Sequence, residues 1–213
     1  MDISTQQHRL RRDLEAKGIR DPRVLDAIEQ TRRDLFVSPG MRHRAYDDTA
    51  LPLAAGQTIS QPYMVALMTQ ELRLQGDETV LEVGTGSGYQ AAILASLCRN
   101  VVTMERLGEL SQDAQRVLAE LGYDNIEFRV GDGTLGCPER APYDGIIVTA
   151  AAPEVPPPLV AQLAPDGRLV IPVGDEWLQK LMVYVKTRPR PILTEVCDCR
   201  FVKLIGAAGW ADD

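Results

Sequence analysis

The segment Val80-Leu81-Glu82-Val83-Gly84-Thr85-Gly86-Ser87-Gly88-Tyr89 constrains the fold more than any other part of the chain. A short apolar run ends in three glycines spaced Gly-x-Gly-x-Gly, and a helical pattern over residues 89–97 follows at once. A residue without Cβ lets the chain turn sharply and lets a ligand approach the backbone. Strand, glycine loop and helix in that order open an α/β sheet whose ligands bind beyond the carboxyl ends of its strands.

The centre of the chain repeats this alternation. Residues 79–83, 101–105, 126–130 and 145–149 read as short strands, with one helix ending at Leu121 before Gly122 and another running through Leu163. Pro165-Asp166-Gly167 then turns into a further strand at 168–173. Such βαβ alternation requires a mostly parallel sheet with helices on both faces. β-like runs at 181–186 and 200–205 are expected to pair antiparallel at one edge.

Upstream, Leu10 and Leu14 mark a helix that Gly18 stops. Asp21-Pro22 supplies an N-cap and a first-turn proline for a second helix, with Val24, Leu25 and Ile28 on one face. Residues 33–58 carry Pro39-Gly40, Pro52 and Gly56 and lack periodicity, so they read as an extended segment wrapped over the body. From Gln61 the pattern is helical again, with Val65, Met68 and Leu72 as its stripe. Residues 1–213 are expected to form a single domain, 1–60 contributing to a substrate site and 61–213 forming a cofactor-binding core with C-terminal strands.

The net charge is −7, from 30 acidic and 23 basic residues, the wrong sign for neutralising phosphates, so nucleic acid is not an expected partner. No apolar run approaches the ~20 residues that span a bilayer. Met1-Asp2-Ile3-Ser4-Thr5-Gln6 lacks the basic-then-apolar pattern of a signal peptide, so the protein is expected to stay where it is made, off the membrane. Cys197-x-Cys199 lacks the second ligand pair of a zinc site, and the histidines are only His8 and His43. Cys98, Cys137, Cys197 and Cys199 are therefore expected as buried or reduced thiols, with no metal.

The glycine spacing is one residue shorter than the dinucleotide fingerprint, which disfavours NAD or FAD and suits a cofactor without a pyrophosphate. Three acids stand at consecutive strand ends. Glu82 ends the first, placed to face an amino or sulfonium cation. Glu105 ends the second, 19 residues after Gly86, where an acid accepts hydrogen bonds from both ribose hydroxyls. Asp132, in Gly131-Asp132-Gly133, follows the third, in position to meet an adenine amine. Singly, such acids are solvated strand ends or turn residues. Together with Gly84, Gly86 and Gly88 they point to S-adenosylmethionine.

Gly56-Gln57-Thr58-Ile59-Ser60-Gln61-Pro62, followed about 20 residues later by the glycine loop, resembles the protein-L-isoaspartate O-methyltransferase family. Gly131-Asp132-Gly133, Ala141-Pro142-Tyr143-Asp144, Thr149-Ala150-Ala151-Ala152-Pro153 and Leu169-Val170-Ile171-Pro172-Val173-Gly174 extend the resemblance from about Leu10 to Leu204. The loop is common to many methyltransferases, whereas the Thr-Ile-Ser-x-Pro segment is far more specific. The resemblance implies a Rossmann-like class I methyltransferase fold and a cytoplasmic, monomeric enzyme. Its implied activity is methylation of the free α-carboxylate of L-isoaspartyl residues in damaged proteins and peptides, which starts repair through a succinimide. It implies Ser60 as the active-site serine, and Gln57, Thr58 and Ile59 as contacts to cofactor or substrate. It also implies Glu82, Glu105, Asp132 and Gly133 as cofactor contacts, although the family often has Asp in place of Glu82. Lys203 departs from the pattern, standing where the family usually carries proline.

The chemistry is consistent with these residues. A carboxylate, with a reference pKa of about 4, is ionised at neutral pH and needs no strong general base. The demand is instead for collinear placement of oxygen, methyl and sulfur. Ser60 has two readings: its hydroxyl orients the carboxylate, or it caps the helix that begins near Pro62. Two other functions stay open at this point. A related methyltransferase for another carboxylate or a small molecule need not contain Gln57-Thr58-Ile59-Ser60, and a non-catalytic cofactor-binding homologue is raised by Lys203 alone.

Overall fold

A computed structural model of the chain describes residues 2–212. Helix α1 (Ile3–Ala16) starts where the Asp2 side chain accepts from Thr5 N at 3.0 Å, and it buries Leu10 and Leu14. Helix α2 (Pro22–Gln30) starts on the expected cap, Asp21 accepting from Arg23 N at 2.9 Å, and buries Val24, Leu25 and Ile28. The segment that follows is less extended than its sequence suggests. It contains 3-10 turns at Arg33–Leu35, Pro39–Arg44 and Ala54–Gly56, and a short antiparallel ribbon of β1 (Leu51–Pro52) with β2 (Thr58–Ile59).

This segment is seated by one long side chain. The Arg33 guanidinium is fully buried, donates from Nε to Ala45 O at 2.8 Å and lies 4.9 Å from the centre of the Tyr89 ring. Phe36 meets the same ring edge-on at 5.5 Å. Aromatic and cation contacts of this kind each contribute about 0.5–1.5 kcal/mol beyond the area they bury. Phe36, Val37, Ala45, Leu51 and Ile59 consequently share one core cluster with the α1 and α2 faces. Helix α3 (Pro62–Leu72) follows, with Val65, Met68 and Leu72 buried.

The body alternates as expected: β3 (Thr79–Val83), α4 (Tyr89–Ala95), β4 (Asn100–Glu105), α5 (Gly108–Glu120), β5 (Ile126–Val130), β6 (Tyr143–Val148), α6 (Pro157–Gln162), β7 (Leu163–Gly174), β8 (Gln179–Val185) and β9 (Ile192–Cys199). The seven strands are ordered β5-β4-β3-β6-β7-β8-β9. Strands β3 to β7 pair in parallel, and β8 and β9 add an antiparallel edge. Period-two alternation sends Val80, Val101 and Ile147 to the face packed by α1–α4, and Leu81, Val102 and Ile146 to the face that holds Leu159 of α6. From β3 the order runs outward through β4 and β5 on one side and through β6 on the other, which makes β3 the switch point of the sheet.

Two boundaries differ from expectation. The Pro165-Asp166-Gly167 turn lies inside β7 as an irregularity, pairing resuming at Gly145 with Arg168. β8 pairs antiparallel with β7 on one side and β9 on the other, whereas residues 200–205 are not a sheet strand. They cross the carboxyl end of β6, where Ala151 N donates to Val202 O and Leu204 N to Ala151 O, both at 2.8 Å. β9 hides its periodicity because it is an edge strand with Ile192 and Leu193 exposed. Cys197 and Cys199, two apart in β9, both pack against the larger core as free thiols.

Gly88 caps α4 at φ +84, and an added Cβ would lie 2.8 Å from Leu118 Cδ1 and 3.1 Å from Ala114 Cβ of α5. Gly88→Ala is expected to destabilise the fold by about 1–3 kcal/mol through overpacking and backbone strain. Urea unfolding of the variant beside wild type measures this.

Candidate active site

At the carboxyl ends of β3, β4 and β6 a cavity opens, bounded by the β2–α3 junction, the glycine loop, Glu105, Thr149 and residues 202–205. The loop is pinned from both sides. Gly84 N donates to Met104 O at 2.8 Å, and the Thr149 hydroxyl donates to Gly84 O at 2.6 Å. Gly84 has φ +97, and a Cβ there would sit 2.3 Å from Thr149 Oγ1, so only glycine permits this approach. Glu105 holds the far side of the loop: Oε2 accepts from Gly86 N at 2.9 Å and Oε1 from Leu107 N at 3.0 Å. Each oxygen keeps acceptor capacity for a ligand hydroxyl.

The three expected acids take three different places. Glu105 lines the cavity. Glu82 does not; its side chain is fully buried beneath the loop, on the face shared with Val80 and Ile147. The Thr103 hydroxyl donates to Glu82 Oε2 at 2.5 Å, Thr85 stands 2.6 Å from Thr103 Oγ1, and Oε1 finds no partner among the described residues. Burial first, and then the charge of Glu105, push the Glu82 carboxyl up to about 8 against the pull of Thr103. The structure thus places Glu82, expected to face a cation, behind the cavity wall, as a buried acid tied to the loop through Thr103 and Thr85.

Asp132 is likewise turned away from the cavity lining. Its Oδ1 accepts from Thr134 N at 2.9 Å and Thr134 Oγ1 at 2.6 Å, and its Oδ2 accepts from Ala207 N at 2.7 Å. Asp132 thus anchors residues 207–208 against the β5 end, while its Oδ2, with a single donor, keeps one acceptor position. Gly88 also stands outside the lining and serves the packing of α4 on α5. Gly84, Gly86 and Gly133 do line the cavity.

Gln57, Thr58, Ile59 and Ser60 all reach the lining. The residue that caps α3 is Gln61, and no side chain makes a capping bond there. Ser60 thus does not cap α3, and its hydroxyl is left for a ligand. Sequence reasoning missed Thr149 and the crossing residues 202–205 as parts of this site. The motif around Thr149 was a usable signal. Nothing local marks residues 202–205, whose place depends on hydrogen bonds to Ala151. Trp210 Nε1 adds a third, donating to Ala151 O at 3.0 Å.

The cavity fits S-adenosylmethionine: bare loop backbone for the amino-acid end, Glu105 for ribose hydroxyls, and apolar Met104, Leu107 and Ile205 for a purine. Among the described residues no group of three or more His, Cys, Asp or Glu is placed to hold a metal. No helix there is long and apolar enough to cross a membrane. Fold and cavity define a class I methyltransferase that uses S-adenosylmethionine.

The profile of the Protein-L-isoaspartate(D-aspartate) O-methyltransferase family matches residues 5–209, and the chain belongs to that family. Protein-L-isoaspartate O-methyltransferase 2 of Pelobacter propionicus is 52% identical over 199 residues, covering 92% of this chain and 88% of that protein. The Trichlorobacter lovleyi protein-L-isoaspartate O-methyltransferase is 54% identical over 195 residues, covering 91% of this chain and 90% of that one. A solved protein-L-isoaspartate O-methyltransferase superposes with a TM-score of 0.85 at 29% identity, over 95% of this chain and 67% of its own. A Plasmodium falciparum structure described as a β-aspartate methyltransferase, in complex with S-adenosyl-L-homocysteine, gives 0.80 at 27%, over 92% and 96%.

Glu82 yields a pH prediction. An unfolded glutamate releases its proton at about pH 4.3, whereas in the fold this carboxyl is pushed up to about 8. Between those values the native state holds a proton that the unfolded state has lost. This contribution to stability is complete below about pH 4, falls as pH rises through the window and levels off above it. Glu82→Gln should remove that decline, seen as a flatter dependence of unfolding free energy between about pH 5 and about pH 8. An unchanged slope would locate the titration elsewhere.

Proposed function

We propose that this chain transfers the methyl group of S-adenosylmethionine to the free α-carboxylate of L-isoaspartyl residues in damaged proteins and peptides. The methyl ester then closes to a succinimide, and its hydrolysis returns part of the material to aspartate. The observation that carries this reading is the Ser60 hydroxyl, uncommitted to α3 and lining the same cavity as the glycine loop and Glu105.

When bound, S-adenosylmethionine supplies an electrophilic methyl on a sulfonium. Glu105 accepts from ribose hydroxyls while it keeps the Gly86 and Leu107 amides, and the backbone of Gly84 and Gly86 receives the amino-acid end. Glu82 supports this from below through Thr103 and Thr85, and Asp132 through the chain end. Gly133 completes the wall.

On the other side, Ser60 donates a hydrogen bond to the substrate carboxylate, with Gln57, Thr58 and Ile59 lining the approach. The carboxylate is already anionic, so a carboxylate oxygen gains the methyl as the carbon–sulfur bond breaks, and no proton moves. The reactants carry opposite charges that cancel in the products. Excluding water therefore favours the transfer, and residues 202–205, held on Ala151, cover the site. Orientation is the protein's main contribution.

In this reading residues 1–213 act as one unit. The same reading makes it a monomer in the cytoplasm, as the family resemblance implies.

Ser60→Ala should lower kcat for an isoaspartyl peptide by roughly two orders of magnitude. Affinity for S-adenosylhomocysteine should stay within about threefold, the serine making no donor contact that alanine backbone cannot keep. Steady-state kinetics and calorimetric titration check both, and wild-type turnover would remove Ser60 from the mechanism.

A further inference from the structure

Glu82 is fully buried, and the Thr103 hydroxyl is the one donor its carboxyl group meets among the described residues. Thr103 in turn meets the Thr85 hydroxyl at 2.6 Å, and Thr85 lines the cavity between Gly84 and Gly86. The Thr85 backbone belongs to the glycine loop: its amide lies 3.3 Å from Met104 O, and its carbonyl accepts from Gly88 N at 2.8 Å. Glu82 thus reaches the cofactor seat through a residue whose backbone is part of that seat.

The surroundings favour the uncharged acid. The register partners of Glu82 on the neighbouring strands, Thr103 and Ile147, carry no charge. The charged group that acts on it is Glu105, of the same sign. An ionised Glu82 would be a buried charge with one hydrogen bond, an unpaired Oε1 and a like charge nearby, a costly state. Thr103 and Thr85 are the hydroxyls it could draw on, so relief would come at the loop's expense. The new charge would also repel the Glu105 carboxylate, which holds Gly86 N and Leu107 N.

We infer that Glu82 is a positioning residue of the cofactor seat that acts as a neutral acid: the glycine loop takes up the cofactor firmly while Glu82 carries its proton and weakly once that proton has left. This departs from the expected role, in which an ionised Glu82 faces a cation. It deepens the cofactor half of the reading above and holds whichever carboxylate accepts the methyl group. Binding at high pH then draws one proton from the buffer onto Glu82.

The test is calorimetric titration of the full-length protein with S-adenosylhomocysteine, with no peptide present. The Glu82 carboxyl is pushed up to about 8, which sets the window. The ligand's amino group, with a reference pKa of about 8, titrates in the same range, so the wild type is read against Glu82→Gln. Relative to that variant, wild-type affinity should fall about tenfold from about pH 7 to about pH 9. Titrations at about pH 9 in two buffers of different ionisation enthalpy should show close to one more proton taken up per ligand by the wild type. At about pH 7, Glu82→Ala should weaken binding about tenfold, and Glu82→Gln should regain most of that loss, because amide and neutral acid offer Thr103 the same acceptor oxygen.

A glutamine variant as weak as the alanine variant would make the negative charge the working feature and overturn the inference. So would a wild-type affinity that rises with pH relative to Glu82→Gln, the sign expected if the ligand's cation drew the proton off. Parallel profiles would also overturn it, since a carboxyl with a purely structural role alters unfolding and leaves that difference flat. Should Glu82→Ala fail to fold, the wild-type and glutamine profiles decide by themselves. Absence of binding at every pH would overturn the inference together with the cofactor assignment, whereas failure to methylate an isoaspartyl peptide would remove the activity reading alone.

Discussion

The carboxylate of Glu105 ties the glycine loop to the start of α5 through two backbone amides, and the geometry of the cavity depends on that tie. Amides of a loop without side chains have few other means of being held, and a buried amide left unpaired costs about 1–3 kcal/mol. Thr149 reaches over from the end of β6 and fixes the same loop from its other side by the Gly84 carbonyl. The loop is therefore fastened on both sides by the fold's own groups, which suits a reaction governed by collinearity.

A second layer holds these first partners. Thr103 and Thr85 run a line of hydroxyls from the buried Glu82 to the loop. Asp132 and Thr134 fasten the chain end through Ala207 N and Ala208 N, and Trp210 returns to Ala151. The opposite wall is held by the Arg33–Tyr89–Phe36 contact, which seats the wrapping segment so that Ser60 meets the cavity. Pieces far apart in sequence thereby meet at one sheet edge, each by a short list of polar contacts set into an apolar base.

Substrate and donor carry opposite charges, and the site treats them unequally. The donor's side has a carboxylate with fixed backbone partners, Glu105. The open side has Lys203, in a surface pair with Glu176.

The sequence by itself determined the alternation of strands and helices, the glycine loop at the end of β3, the caps at Asp21 and Gly18, and the segment that carries Ser60. These are local: hydrophobic period, missing Cβ atoms and capping side chains act within a few residues of themselves. Only the tertiary structure decided what each acid does. Glu82, Glu105 and Asp132 all end strands on one sheet edge, yet one is buried beneath the loop, one faces the cavity and one holds the chain end. Strand-end position leaves the direction of a side chain open; that is set by which neighbour supplies its hydrogen bonds, and those neighbours are Thr103, Gly86 and Ala207. The same holds for residues 200–205, read as a β-like run, of which 202–205 are set along the cavity by two backbone hydrogen bonds to Ala151.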